Sequence, residues 1–556
     1  MSSPERWVPK TLRSITRRQL FWLAGLATGG GFLSSRGATT VAAAEAEQAA
    51  RAVTGTGGLV IGPNIYQSIG VRPYISGTGT LTVYGGSLEL PEVQQAQEWA
   101  SKHMVQLDEL MDAVGNRLAA ITGAEYGIVT SGCAAAITHA TSACLVGGNP
   151  DRHVHLPSMD GLDKTEVIIP KASRNNYDAA IRATGVKIIE PTSAAELEAA
   201  INPRTAMIYI RSEVPNGPPT NAEVYRIAKA HNIPVLIDAA PEILTIPNVH
   251  LQAGATMVVY SGGKQLRGPQ CAGLLLGRKD LVKAAWVSSA PHHGFSRSMK
   301  VGKEEVIGLL AAVEYWAKQD HKQRWQGLVD KMNVIGARMA TIPGVTTQVR
   351  ETPADQLSNR SPSIAVNWDP TKLGITGQDV VRILDTTEPR ILVGGGGGGG
   401  GRQGGPAPAG PPTTGISVTA FNVGPGEEKI VADRLHAILT AKHTLAPVPA
   451  PQPPAADLSG EWNVEIKYLA STGSHRLVIK QDGAAVQGAH HGDFLERPLT
   501  GTVNGSTVTL RSNLPERTIG NAISYTFTGK IENGRLSGDL DLGEYLKATW
   551  TATRRA

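Results

Sequence analysis

Cysteine is almost absent from this chain: Cys133, Cys144 and Cys271 are the only three in 556 residues. Three thiols make no disulfide framework, even in an oxidising compartment. Cys133 and Cys144 fall on one expected helix, too far apart along it to bridge, and no metal-ligand spacing occurs among the three. A membrane-length apolar run is also missing. The candidate, Leu20 to Leu33, is short and interrupted by glycines. Excess charge is lacking once the first 44 residues are set aside. There Arg6, Lys10, Arg13, Arg17, Arg18 and Arg36 stand against Glu5, a net of +5 that equals the whole-chain value. The remainder is close to neutral, which argues against a nucleic-acid partner.

What those 44 residues do contain is a targeting pattern. Arg17-Arg18 precede the apolar run, and Val41-Ala42-Ala43-Ala44 offer a small-residue cleavage site. Residues 1–44 are thus expected to be a twin-arginine signal, giving a periplasmic or secreted protein with no integral span in the mature chain. That route carries folded, often cofactor-loaded proteins. Hydrophobic content of 41% and charge of 18% fit a soluble globular remainder of two or three domains.

Composition and periodicity divide that remainder. Residues 45–75 read as an N-terminal arm. From Glu125 short apolar runs alternate with helical patterns, the mark of a parallel sheet covered on both faces. Helices over Lys303–Gln319 and Gln326–Ala340 then lead into short strands and a closing helix. The expected architecture is α/β: a mostly parallel seven-stranded-type sheet in a large domain, 76–300, with a smaller α+β domain, 301–445. A Gly/Pro tract, 394–412, cannot bury enough surface to order itself and is read as a disordered insertion. A stiff Pro-rich linker, 446–456, precedes an all-β module, 457–556, whose Asp482-Gly483, Asn504-Gly505 and Asn533-Gly534 turns suggest an antiparallel barrel or sandwich. His153 and His155 share one face of an expected His-Val-His strand. Like the His292-His293 and His490-His491 pairs they lack a third ligand at sensible spacing, so no metal is expected and they read as surface histidines.

The chemistry centres on Ala255 to Pro269. A buried β-branched run stops at Ser261-Gly262-Gly263, and Lys264 follows at the strand exit, where open α/β sheets place their ligands. A lysine held away from bulk water is a candidate for Schiff-base chemistry. Asp238 ends the preceding Val235-Leu236-Ile237 strand, 26 residues upstream. A carboxylate at that depth keeps a pyridine nitrogen protonated and makes the ring an electron sink. Ser131-Gly132-Cys133 opens a helix after a strand, so its amides and dipole can hold a phosphate, and the Ser261 hydroxyl lies near the same anion. Together the four features point to pyridoxal 5'-phosphate.

These residues also carry a resemblance. Gly77-Thr78-Gly79-Thr80, Gly85-Gly86-Ser87, Arg174-Asn175-Asn176-Tyr177-Asp178, Ile237-Asp238-Ala239-Ala240, Ser261 to Gln270 and Glu388-Pro389-Arg390-Ile391 resemble the fold-type I pyridoxal-phosphate enzymes. The similar branch holds selenocysteine synthase and D-glucosaminate-6-phosphate ammonia-lyase-like proteins, and the likeness covers residues 60–445. It implies Lys264 as the Schiff-base lysine, Asp238 as the pyridinium partner, a phosphate cradle of Ser131, Gly132, Cys133 and Ser261, and at least a homodimer. Related enzymes often place a histidine over the cofactor ring where this chain has Ser173. A small-molecule amine, an amino acid or amino sugar acid, is the expected substrate, with Arg174, Arg267, Arg297 and Arg390 as candidate grips for its anionic groups. The expected reaction is α,β-elimination through an external aldimine and a quinonoid, as in an ammonia-lyase. Aminotransfer, selenium or sulfur transfer, and a non-catalytic periplasmic binding protein are the alternatives.

Overall fold

The computed structural model describes residues 59–395, 413–447, 450–514 and 523–555. The twin-arginine segment and residues 396–412 of the glycine tract lie outside the described residues. The chain divides into two compact units, Met1–Tyr74 and Ile75–Ala556. Among the described residues of the first, a 3-10 turn, Gln67–Ile69, is pinned by Ser68, whose hydroxyl donates to the Ile65 carbonyl at 2.6 Å.

The second unit opens with β1 (Ile75–Gly77), which joins the smaller sheet discussed below. Its main sheet has seven strands, β2 (Tyr126–Thr130), β3 (Glu166–Ile168), β4 (Lys187–Ile189), β5 (Thr205–Arg211), β6 (Val235–Asp238), β7 (Met257–Ser261) and β8 (Gly273–Gly277), in the order β2-β8-β7-β6-β5-β3-β4. β8 alone runs antiparallel to its neighbours, so β2, β5, β6 and β7 all end along one edge. The central strands are continuous apolar runs buried on both faces, as parallel sheets require. Helix Cys133–Val146 lies on the sheet with eleven of its fourteen residues buried, an approach its alanine content permits.

The helices Lys303–Lys318 and His321–Met339 carry the chain onward, broken at Gln319-Asp320. There the Asp320 carboxylate caps the second helix, accepting from Lys322 and Gln323 amides at 2.9 and 3.0 Å. The second helix starts earlier than the expected Gln326 because of that cap. A five-stranded sheet follows, ordered β1-β11-β12-β10-β9, from β9 (Val345–Arg350), β10 (Ser363–Trp368), β11 (Ile391–Gly395) and β12 (Thr414–Thr419). Gly394 and Gly395, assigned above to the insertion, continue β11 and pair with Ser417 and Ile416. A strand edge supplies the backbone partners that glycine cannot gain by burial.

At the C-terminus eight strands, β13 (Gly460–Lys467), β14 (Thr472–Asp482), β15 (Ala485–His491), β16 (Glu496–Asn504), β17 (Thr507–Asn513), β18 (Ser524–Glu532), β19 (Arg535–Asp541) and β20 (Lys547–Arg554), close into an up-and-down barrel. Trp462, Trp550 and Phe527 fill its interior. The end of the Pro-rich segment docks on it: Gln452 N–H donates to Asn504 Oδ1 at 2.6 Å and Ala455 N–H to the Gly505 carbonyl at 2.8 Å.

Two histidine expectations are corrected. His153 and His155 sit on a short helix, Pro150–His155, started by the Asn149 cap and Pro150, and His153 is buried. His490 is not at the surface either: it points into the barrel and is fully buried.

Candidate active site

Lys264 occupies the turn that leaves β7. The turn is closed by the Lys264 amide on the Ser261 carbonyl at 3.3 Å and the Arg267 amide on the Lys264 carbonyl at 3.1 Å. A Cβ on Gly263 would come within 2.4 Å of the Gln270 backbone, so only glycine lets the turn fold back so tightly. From outside, Ser87 donates to the Gly263 carbonyl at 2.9 Å, and Asn422 donates to the adjacent Gly86 carbonyl at 3.1 Å. The half-buried Lys264 amine has no hydrogen-bond acceptor among the described residues.

One strand away, Asp238 is buried at the end of β6. Its Oδ2 accepts from the Tyr209 hydroxyl at 2.7 Å and its Oδ1 from the Ala240 amide at 3.0 Å. Burial pushes the carboxyl pKa up; the Tyr209 and Ala240 hydrogen bonds and the Lys264 and Arg211 charges pull it back. Lys264 is near enough for its charge to act on the Asp238 carboxyl. Tyr209 is held in turn by Asn175, whose Nδ2 lies 3.4 Å from the phenol oxygen.

On the other side, β2 ends at Thr130, whose hydroxyl donates to the Gly132 carbonyl at 2.9 Å. Gly132 takes φ 91°, and helix Cys133–Val146 begins with no side chain capping it, which leaves first-turn amides and the positive end of the dipole open. Cys133 contributes its position there, but its thiol turns toward Asp238 Oδ1, 3.9 Å away. Burial and then the Asp238 charge push the thiol pKa up, so it stays neutral. Ser131 and Ser261 are half-buried at the same edge. The buried Ser173 hydroxyl accepts from the Arg211 amide at 3.2 Å, beside the register partner of Asp238.

The structure therefore brings together Lys264, Asp238, Ser131, Gly132, Cys133, Ser173 and Ser261. The arginines disperse. Arg174 is buried and paired with Asp178 at 2.5 Å and Glu190 at 2.6 Å, which makes it part of an internal ion-pair network, with Nη2 left without a partner among the described residues. Arg390, at the start of β11, is paired with Asp385 at 2.7 Å. Arg267 lines a separate cavity, and Arg297 is exposed.

An Asp–Tyr pair at a strand end, a helix start free to take an anion and an amine in a closed turn make a chemically coherent pocket. The sequence agrees with known proteins over the same region. The model for class-V aminotransferases matches residues 95–397, more than half of the chain.

The protein belongs to the class-V aminotransferase family.

It is 31% identical over 330 residues to the D-glucosaminate-6-phosphate ammonia lyase of Salmonella typhimurium, covering 57% of this chain and 86% of that one. A 5'-C-glycyluridine monooxygenase-decarboxylase of Streptomyces is 32% identical, covering 51% and 73%. An L-seryl-tRNA(Sec) selenium transferase of Nitratidesulfovibrio vulgaris is 23% identical, covering 59% and 82%. The solved structure of D-glucosaminate-6-phosphate ammonia-lyase superposes with a TM-score of 0.58 at 28% identity, over 68% of this chain and 99% of that one. This class-V protein is thus an enzyme with the pyridoxal-phosphate fold-type I architecture. The barrel β13–β20 lies beyond the matched residues.

Four residues near Asp238 escape sequence reading. Tyr209 looks like any residue of an apolar strand, although a hydroxyl two positions from the end of a buried strand is the signal that marks it. Asn175, two residues after Ser173, takes part only through its contact with Tyr209, and only the β5–β6 register brings Arg211 opposite Asp238. Tyr177 lies within electrostatic reach of Asp238, its phenol pKa pushed up by partial burial and then by that carboxylate.

Proposed function

We propose that this class-V enzyme is exported, binds pyridoxal 5'-phosphate at the pocket between Lys264, Asp238 and the Cys133 helix start, and acts on an amino acid or amino sugar acid by α,β-elimination. The residues fit the cofactor. Asp238, buried yet supplied with hydrogen bonds that favour its ionised form, suits a protonated ring nitrogen. The uncapped helix start with Ser131 and Ser261 suits the phosphate, and Lys264 suits the aldehyde. Bound there, the cofactor supplies an electron sink for bonds at the substrate α-carbon.

The chain's own groups do the rest. Lys264 takes the α-proton, as a general base must from within hydrogen-bond reach. Protonated, it returns that proton to the departing β-hydroxyl. The net change converts a β-hydroxy amine into a keto product and ammonia, with the water lost in elimination regained in hydrolysis and no change of overall oxidation level. Tyr209 and Asn175 hold the Asp238 carboxylate in one orientation, so that its charge is not lost to rotation.

The meeting of Lys264 with Asp238 at one sheet edge carries this reading, and the ammonia-lyase likeness favours elimination among the reactions of the family. Aminotransfer is the second reading, favoured by the family to which the chain belongs. Screening serine, threonine and amino sugar acids for ammonia release, with and without a keto-acid acceptor, separates the two. Ammonia without an acceptor supports elimination; product only with an acceptor supports aminotransfer. The export reading rests on Arg17-Arg18 and the apolar run after them. A double variant, Arg17→Lys with Arg18→Lys, that still leaves the enzyme outside the cytoplasm at wild-type level would refute it.

A further inference from the structure

A cavity of about 580 Å³ opens beside the lysine turn, separate from the cofactor pocket. Its wall uses the segments that hold the turn in place: Leu88 next to Ser87, Arg267 within the turn itself, and the loop from Phe421 to Pro425. Four cations line it: Lys318 is paired with Glu314 at 2.9 Å, whereas Arg267, Arg324 and Lys331 form no ion pair with a carboxylate among the described residues.

Arg267 and Arg324 are placed at a cost. Arg267 adopts φ 54°, a left-handed backbone that disfavours any residue with a Cβ. Only one of its donors is used, Nε to the Leu88 carbonyl at 2.9 Å. Arg324 lies against the Trp316 and Phe421 rings, 5.3 Å from each centroid, with no hydrogen-bond acceptor for its guanidinium among the described residues. Burial, followed by the Arg267 charge, lowers its pKa to about 10. Lys331 donates to the Val423 carbonyl. The carboxylate in the wall, Asp320, accepts from two amides as the cap of its helix and keeps its negative charge. Asn422 completes the lining: its amide nitrogen serves Gly86, and its Oδ1 is buried with no donor among the described residues.

Asp320 in the wall and Glu427 and Glu428 near Lys331 offset part of this charge without pairing with it, so Arg267, Arg324 and Lys331 keep donors for an anion, and arginine forks suit tetrahedral or planar oxyanions. We propose that this cavity binds the phosphate group of a small molecule, with Arg267, Arg324 and Lys331 as its ligands and the Asn422 oxygen accepting from a protonated phosphate oxygen. Because Arg267 and Lys264 share one hydrogen-bonded turn, an anion held there stiffens the segment that carries the reactive amine. The site stands independently of which reaction the enzyme performs.

The test is calorimetric titration of inorganic phosphate into full-length protein saturated with pyridoxal phosphate, so that the cofactor cradle is already filled. Saturable binding is expected, weakened at least tenfold in Arg324→Gln and in Lys331→Gln and unchanged in Arg338→Gln, whose partner is the surface residue Asp433. Arg324→Lys, which keeps the charge, should retain part of the affinity, and melting curves of each variant report whether it is folded. Absence of saturable binding, or equal affinity in wild type, Arg324→Gln and Lys331→Gln, overturns the proposal. O-phosphoserine then distinguishes the source of the phosphate. If inorganic phosphate suppresses its effect on the cofactor spectrum, the cavity takes the far end of a substrate; if both act together, it takes a separate effector.

Discussion

Asp238 and His490 are both sealed from solvent, one at the open edge of a parallel sheet and the other inside a closed barrel. In the barrel the two buried imidazoles find partners, although the nearby Arg497 Nε is buried without one among the described residues. His490 Nδ1 meets the Ser512 hydroxyl at 2.8 Å, its Nε2 meets His475 Nδ1 at 2.9 Å, and His475 Nε2 lies 3.6 Å from Asp493. Burial pushes both imidazoles toward the neutral form, His490 to about 3. At the sheet edge the pattern is the reverse: the Lys264 amine and the start of the Cys133 helix face the pocket with capacity to spare. Buried polar groups are costly unless paired. The pairing of the barrel cluster therefore marks architecture, and the unused bonding capacity at the sheet edge marks a ligand.

The sharpest break of this comparison is Lys264→Ala. Turnover should fall by roughly 10⁴-fold or more, the scale of losing a positioned base together with the cofactor linkage, whereas Ser512→Ala should leave kcat unaltered. Asp238→Asn should lower kcat by about 10²- to 10³-fold; Tyr209→Phe, which leaves the carboxylate in place, should cost about tenfold and shift the pH profile of kcat. Steady-state kinetics on the four variants checks both statements. Loss of activity in Ser512→Ala with intact folding would dissolve the contrast.

Arg174 tests the same distinction within the α/β domain. Its removal leaves Glu190 unpaired and Asp178 with Arg182 alone, and the protein should unfold at lower denaturant than the wild type. Any active protein that remains should keep its KM.

The smallest and broadest effect is acid sensitivity of the barrel. A histidine near pKa 6.5 when unfolded and near 3 when folded binds its proton preferentially in the unfolded chain. Its contribution is complete above about pH 6.5 and is lost progressively as pH falls toward about 3. Melting of the full chain between those limits should show a barrel transition that falls with pH, and His490→Gln should flatten that dependence.

Much of this division is legible without coordinates. Lys264 and Asp238 announce themselves because a charged residue that ends a β-branched run has only a strand exit to occupy. The serine-glycine helix start and the parallel sheet follow from the same alternation. Other features depend on tertiary register. Tyr209 acquires its role only when β5 lies beside β6, and Arg174 becomes structural only because Asp178 and Glu190 are folded around it. In the barrel, β15 and β19 carry polar residues and Gly488 or Gly538, so apolar alternation does not reveal them. Those glycines are required nevertheless, since a Cβ at Gly488 would lie 1.8 Å from the Val478 carbonyl oxygen. His490 escapes for a related reason: an adjacent histidine pair in a strand has one member on each face, and sequence does not say which faces in.

One amine reacting with one aldehyde underlies the proposed chemistry, and the absorbance spectrum of the purified full-length protein with pyridoxal phosphate tests it directly. A near-visible band should appear on titration, respond to added amine substrates and vanish as a protein-linked signal in Lys264→Ala after gel filtration. A wild-type spectrum that stays featureless beyond free cofactor, or a Lys264→Ala spectrum identical to that of the wild type, would contradict it.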